Sequence, residues 1–185
     1  MSDRDHRSVF IITGDTGSGK TTFLLKLVEN LREKGLSSRG FAALSVPEDG
    51  PSGSFNLLDL VSGKTLPLAS RRFTQGWEPL GGFYFNPEGI RTGINILEDS
   101  LILHNDLVVV DEIGPFELEG KIWADSLTRL LAGFPGPVLM VIRQKLVAQA
   151  LQKWGLQHAV IIDIGRLNPE QAATLISSKL SGKED

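Results

Sequence analysis

Eight consecutive residues, Gly14-Asp15-Thr16-Gly17-Ser18-Gly19-Lys20-Thr21, bring glycines, a lysine and a hydroxyl together at a spacing that suits the gripping of a phosphate chain. Gly14, Gly17 and Gly19 let the backbone curl with its N–H groups turned inward. Side chains at those points would crowd an anion out. Asp15, Thr16 and Ser18 add further N–H groups to the cradle. An apolar run, Val9–Thr13, leads into the loop, and an amphipathic segment leads out from Thr21 and Thr22. The start of that helix adds unpaired N–H groups and the positive end of its dipole. Lys20 offers a mobile charge for β- and γ-phosphates. Thr21 offers a hydroxyl to Mg²⁺, a hard ion that seeks oxygen.

A second cluster lies at Leu107-Val108-Val109-Val110-Asp111-Glu112, an aliphatic run ending in two carboxylates. A carboxylate at the C-terminal end of a buried strand suits Mg²⁺ held partly through water, and Asp111 takes that role. Glu112 is placed to polarise a water for attack on the γ-phosphate. The competing reading makes Glu112 an acid that favours a helix start. Arg143 and Gln144 end another apolar run and are expected at the same rim, where Arg143 joins Glu112 and Lys20 as a catalytic candidate that senses the γ-phosphate. Arg166 follows the last apolar run and is a candidate for stacking on the base or pairing with phosphate. Glu117 and Glu119 read as a solvated helix start. Arg71 and Arg72 are weaker candidates for transition-state charge. No Asn-Lys-x-Asp occurs anywhere, which argues against a guanine-specific switch.

These residues need a scaffold. Ser8–Thr13, Leu107–Asp111, Val138–Arg143 and Ala159–Ile164 read as strands covered on both faces, with Arg39–Val46 a weaker fifth. Helices are expected over Thr21–Lys34, Pro87–Leu103, Glu119–Ala132 and Lys145–Trp154. The last opens at Asn168-Pro169 and runs to about Leu180. Asn86 caps the second of these, with Pro87 at its first position. Asn168 and Gln171 form a capping box for the last. Strands alternating with helices give an α/β fold, with a mainly parallel sheet and helices on both faces. Residues 47–86 break the rhythm. Phe55–Val61 and Thr65–Leu68 flank Ser62-Gly63-Lys64 and read as a hairpin, so the region is an insertion at one end of the sheet. It serves as a structural flap or as an active-site lid.

The chain has 185 residues, 41% of them hydrophobic and 22% charged, enough for one nucleotide-binding unit with a real core. Nineteen Lys and Arg against 22 Asp and Glu give a net charge of −3, which argues against wrapping nucleic acid. There is no cysteine, so disulfides, thiolate metal sites and cysteine nucleophiles are excluded. The polar start and the strand-sized apolar runs suggest neither a signal peptide nor a membrane span, and a cytoplasmic protein is expected.

The loop Gly14–Thr22 and the segment Asp111-Glu112-Ile113-Gly114-Pro115-Phe116-Glu117-Leu118 together resemble the small cancer-related nucleoside-triphosphatase family, also found in thermophilic bacteria and archaea. The stretch Phe55–Leu68 is similar to that family's hairpin region. The resemblance covers roughly residues 8–170. Pro115 and Phe116 stand where the family motif has Lys-Met, and the family's Glu-Val-Arg before the hairpin is missing. The resemblance implies a three-layer phosphate-loop NTPase with a RecA-like sheet, and slow hydrolysis of several NTPs, ATP and GTP included. Two other readings stay open. One is a kinase for a nucleotide or small metabolite with the insertion as acceptor lid. The other is a nucleotide-gated accessory protein that meets a protein partner through residues 47–86.

Overall fold

A computed structural model describes residues 8–46 and 53–181. The expectations for the polar start, for Pro47, Gly50 and Pro51, and for the end of the polar tail lie outside those residues. The elements run β1 (Val9–Gly14), α1 (Lys20–Glu33), β2 (Ser38–Val46), β3 (Ser54–Asp59), β4 (Thr65–Ser70), β5 (Glu78–Leu80), β6 (Phe83–Phe85) and α2 (Pro87–Asp99). They continue with β7 (Leu107–Ile113), α3 (Pro115–Leu118), α4 (Ala124–Gly133), β8 (Val138–Arg143), a 3-10 turn at Gln144–Leu146, α5 (Val147–Trp154), β9 (Val160–Asp163) and α6 (Pro169–Ser181).

The nine strands form one mixed sheet in the order β5-β6-β4-β3-β2-β7-β8-β1-β9. From β2 to β9 the neighbours are parallel, and β8 lies between the loop strand β1 and the acidic strand β7. Alternate residues of these strands feed two cores. Phe10, Ile12, Val109 and Val141 pack under α1 and α6, with Leu24, Leu27 and Ile176. Ile11, Val108, Val110 and Met140 pack under the opposite layer, with Leu97, Leu127 and Ala150. Burial on both faces explains why these strands read as unbroken aliphatic runs. At the β2–β7 contact Gly40 has φ 130°, and a Cβ there would lie 1.9 Å from the Val109 carbonyl oxygen. The two backbones meet so closely that only glycine fits.

The described part of the insertion, residues 53–86, is built into the sheet. β3, β4, β6 and β5 continue the sheet edge to edge by antiparallel pairing from β2. Leu57, Leu68 and Phe85 enter the same core as Val108. Gly81 and Gly82, at φ 56° and 81°, make the tight turn between β5 and β6.

The helix expected over Glu119–Ala132 starts five residues late, as α4 at Ala124. The short α3 begins at Pro115, and Gly120 and Ile122 at positive φ turn the chain before α4 starts at Ala124. The helix at Pro87 stops at Asp99, four residues early, where the Ser100 hydroxyl donates to the Ile96 carbonyl at 2.7 Å. The caps form as read. Asn86 Oδ1 accepts from the Glu88 N–H, and Asn168 and Gln171 exchange side-chain-to-backbone bonds of 2.9 and 3.0 Å.

Candidate functional site

Three neighbouring strand ends assemble the site. β1 delivers the loop, β8 delivers Arg143 directly beside Gly14, and β7 delivers Asp111 and Glu112. Asp15 to Gly19 are exposed, with Gly17 and Gly19 at φ 74° and 87°. Ser18 Oγ donates to the Asp15 carbonyl at 2.7 Å and tightens the turn. Gly14 is pressed between the loop and the β9 end, since a Cβ there would meet the Ile164 side chain at 2.8 Å and Ser18 Oγ at 2.9 Å. Lys20, at the first position of α1, folds back so that Nζ donates to the carbonyls of Gly14 at 3.1 Å and Asp15 at 2.5 Å. Burial lowers its pKa and Arg143 adds to that. Glu112, Asp111 and Asp15 oppose it.

Thr21 Oγ1 donates to Asp111 Oδ2 at 2.9 Å, which joins the hydroxyl and carboxylate predicted to share a metal. The same carboxylate oxygen accepts from the Ala43 N–H at 3.3 Å. Asp111 is fully buried. Burial, with Glu112 as a second cause, raises its pKa to about 7, against the hydrogen bonds from Thr21 and Ala43. A divalent cation would shift that balance back toward the ionised form. A hydroxyl and a carboxylate in contact are a donor pair that fits Mg²⁺. Among the described residues no group of three or more His, Asp or Glu side chains gathers, so phosphate oxygens and water would complete the shell.

Glu112, half-buried at the rim, accepts from Arg143 Nε at 2.8 Å and also from Nη2. The pair brings two catalytic candidates together beside the loop. Thr22 is exposed, and no role beyond the helix start is visible for it. Arg166 is strongly exposed and pairs loosely with Asp163 at 3.5 Å. Its turn nevertheless adjoins the loop, because the Ile164 N–H donates to the Thr13 carbonyl. Arg71 stacks over the Phe83 ring at 4.7 Å, and the Arg72 N–H donates to Ser70 Oγ.

Glu117 corrects the sequence reading. It is buried, not solvated, and its Oε2 accepts from the Gly114 N–H at 2.7 Å. Burial raises its pKa to about 7, opposed by that hydrogen bond. It closes the turn that follows the two site carboxylates. Glu, three residues after a glycine and just before an apolar residue, was the available sign of a buried cap. Glu119 is exposed and pairs with Lys121, as expected of a solvated acid.

A cavity of about 100 Å³, unmarked by any local pattern, lies beside these groups. Its wall includes Glu112 and Arg143 together with apolar side chains from the insertion and from the segment after β7. Pro115 and Phe116, the two departures from the family motif, line it. Phe116 meets Phe85 edge-on at 5.6 Å between centroids.

The loop, the inserted strand β8 and the acidic strand end define an α/β phosphate-loop NTPase fold with an additional strand. The chain belongs to the NTPase family, whose model matches residues 9–176. It is 38% identical over 120 residues to the nucleoside-triphosphatase THEP1 of Archaeoglobus fulgidus, covering 65% of this chain and 68% of that one. It is 30% identical over 165 residues to THEP1 of Pyrobaculum aerophilum, covering 83% and 91%. The crystal structure of THEP1 from Aquifex aeolicus superposes with a TM-score of 0.66 at 27% identity, over 96% of this chain and 99% of that one. The solution structure of a human cancer-related nucleoside triphosphatase superposes at 0.71 and 21% identity, over 97% and 100%, and supports the fold alone.

Proposed function

We propose that this chain hydrolyses nucleoside triphosphates to the diphosphate and phosphate with Mg²⁺, with little preference for the base. The contact between Thr21 and Asp111, with Glu112 the next residue, carries this reading. The loop N–H groups and Lys20 bind the phosphates, Lys20 exchanging the Gly14 and Asp15 carbonyls for phosphate oxygens. Thr21 and Asp111 hold the metal, which when bound neutralises charge on the β- and γ-phosphates. Glu112 takes the proton of the attacking water. Arg143 senses the γ-phosphate, and engaging it there frees the Glu112 carboxylate from the ion pair. Arg166 meets the base by stacking, a contact that discriminates bases weakly.

The shared sheet and core support treating residues 1–185 as one nucleotide-binding unit that includes segment 47–86. Among the described residues no helix is long and apolar enough to cross a membrane. We place the activity in the cytoplasm, where nucleoside triphosphates are abundant, with no nucleic acid as partner.

The test is phosphate release from ATP, GTP, CTP and UTP, each with Mg²⁺ and with EDTA. Turnover of all four within about tenfold, abolished by EDTA, is expected. A rate that EDTA leaves unchanged would remove Mg²⁺ from the scheme, and a strong preference for one nucleotide would remove the broad specificity.

A further inference from the structure

The cavity beside Glu112 has features that hydrolysis by water does not require. Phe55, Phe83, Phe85, Phe116 and Trp123 line it, and Glu112 forms part of the same wall. Its volume of about 100 Å³ has room for one small ring or a short branched chain, but not for a nucleoside. Trp123 is buried, with its ring 4.7 Å from that of Phe41, yet its indole Nε1 has no hydrogen-bond partner.

We propose that this cavity is an acceptor subsite for a small apolar molecule bearing a hydroxyl, a monocyclic aromatic alcohol being the simplest example. The proposal rests on the assignment of Glu112 as the base in hydrolysis. The apolar body fills the aromatic wall, and the hydroxyl faces Glu112 in place of the attacking water. Glu112 takes the hydroxyl proton as the alcohol oxygen bonds to the γ-phosphorus. The bond from that phosphorus to the β–γ bridging oxygen breaks, and the nucleoside diphosphate leaves with the electron pair. The products are a phosphate monoester, the diphosphate and one proton. Transfer competes with hydrolysis at one centre, because one carboxylate serves either nucleophile.

The full chain is incubated with Mg²⁺, ATP labelled in the γ-phosphate, and either benzyl alcohol or toluene. Labelled benzyl phosphate is expected, with a matching fall in labelled inorganic phosphate. The Trp123 indole ¹⁵N–¹H resonance, assigned with Trp123→Phe, is expected to shift with benzyl alcohol as its ring packs against the cavity wall. Ala69→Leu narrows the cavity and is expected to lower the ratio of transfer to hydrolysis at least tenfold. Normal phosphate release without the labelled ester overturns the acceptor assignment. So does an indole resonance that benzyl alcohol leaves unmoved. Absent phosphate release without any alcohol overturns the hydrolysis reading instead, and the indole shift still decides whether the cavity takes the alcohol.

Discussion

At the scale of single residues, the site holds three carboxylates with different surroundings. Asp111 and Glu117 are buried and protonate far more readily than free acids, while Glu112 stands at the rim against Arg143. Glu117 makes a clean test, since it lies outside the metal and phosphate contacts. Its folded-state pKa of about 7 exceeds the ordinary 4.5, so the folded chain binds the proton more tightly than the unfolded one. Stability therefore falls as pH rises from about 4.5 to about 7, by roughly 3 kcal/mol at most. Glu117→Gln keeps an acceptor for the Gly114 N–H and removes the ionisation. Urea unfolding of this variant at a series of pH values should show a shallower decline than wild type over that window. An unchanged slope would mean that Glu117 ionises as freely in the folded chain as in the unfolded one. Lys20→Ala removes the charge proposed to meet the phosphates, and equilibrium binding of ATP should weaken at least tenfold at unchanged fold, as judged by circular dichroism.

At the scale of elements, the strand ends hold the site only if the sheet registers correctly. Gly40→Ala forces a Cβ against the Val109 carbonyl between β2 and β7. Both overpacking and positive φ oppose it, so a loss of about 3 kcal/mol or more is expected in denaturant unfolding. Asn86 both caps α2 and donates from Nδ2 to the Pro67 carbonyl at 2.8 Å. Asn86→Ala should cost about 1 kcal/mol or slightly more in the same measurement. The parallel strands and the loop were legible because burial on both faces writes continuous aliphatic runs, and because Lys20 and Thr21 sit at a fixed spacing. β5 and β6 were not legible. They are three residues each, and Phe83-Tyr84-Phe85 lies among Pro and Gly that read as irregular chain. Gly81-Gly82 is the local sign of their hairpin. The late start of α4 is hidden as well, since Glu119 to Ile122 carry no proline and the turns at Gly120 and Ile122 are set by backbone conformation.

At the scale of the whole molecule, two cores clamp one sheet, and the site lies where β1, β8 and β7 end together. Glu112 and Arg143 were placed at one rim from strand ends alone, but their ion pair and the aromatic cavity depend on contacts across the sheet that no local pattern records. A nucleotide bound there ties β1 to β7 and stabilises the folded state by mass action. ATP and Mg²⁺ at about one hundred times the dissociation constant should add about 2.7 kcal/mol, a rise of roughly 5–10 °C in thermal melting. The most direct measurement is steady-state phosphate release from Mg²⁺ and ATP by wild type and Glu112→Gln, with ATP affinity measured on both proteins. The expected result is a fall in turnover of about 10²–10⁴-fold with affinity kept within a few-fold. Wild-type turnover in Glu112→Gln would contradict the assignment of Glu112 as the base.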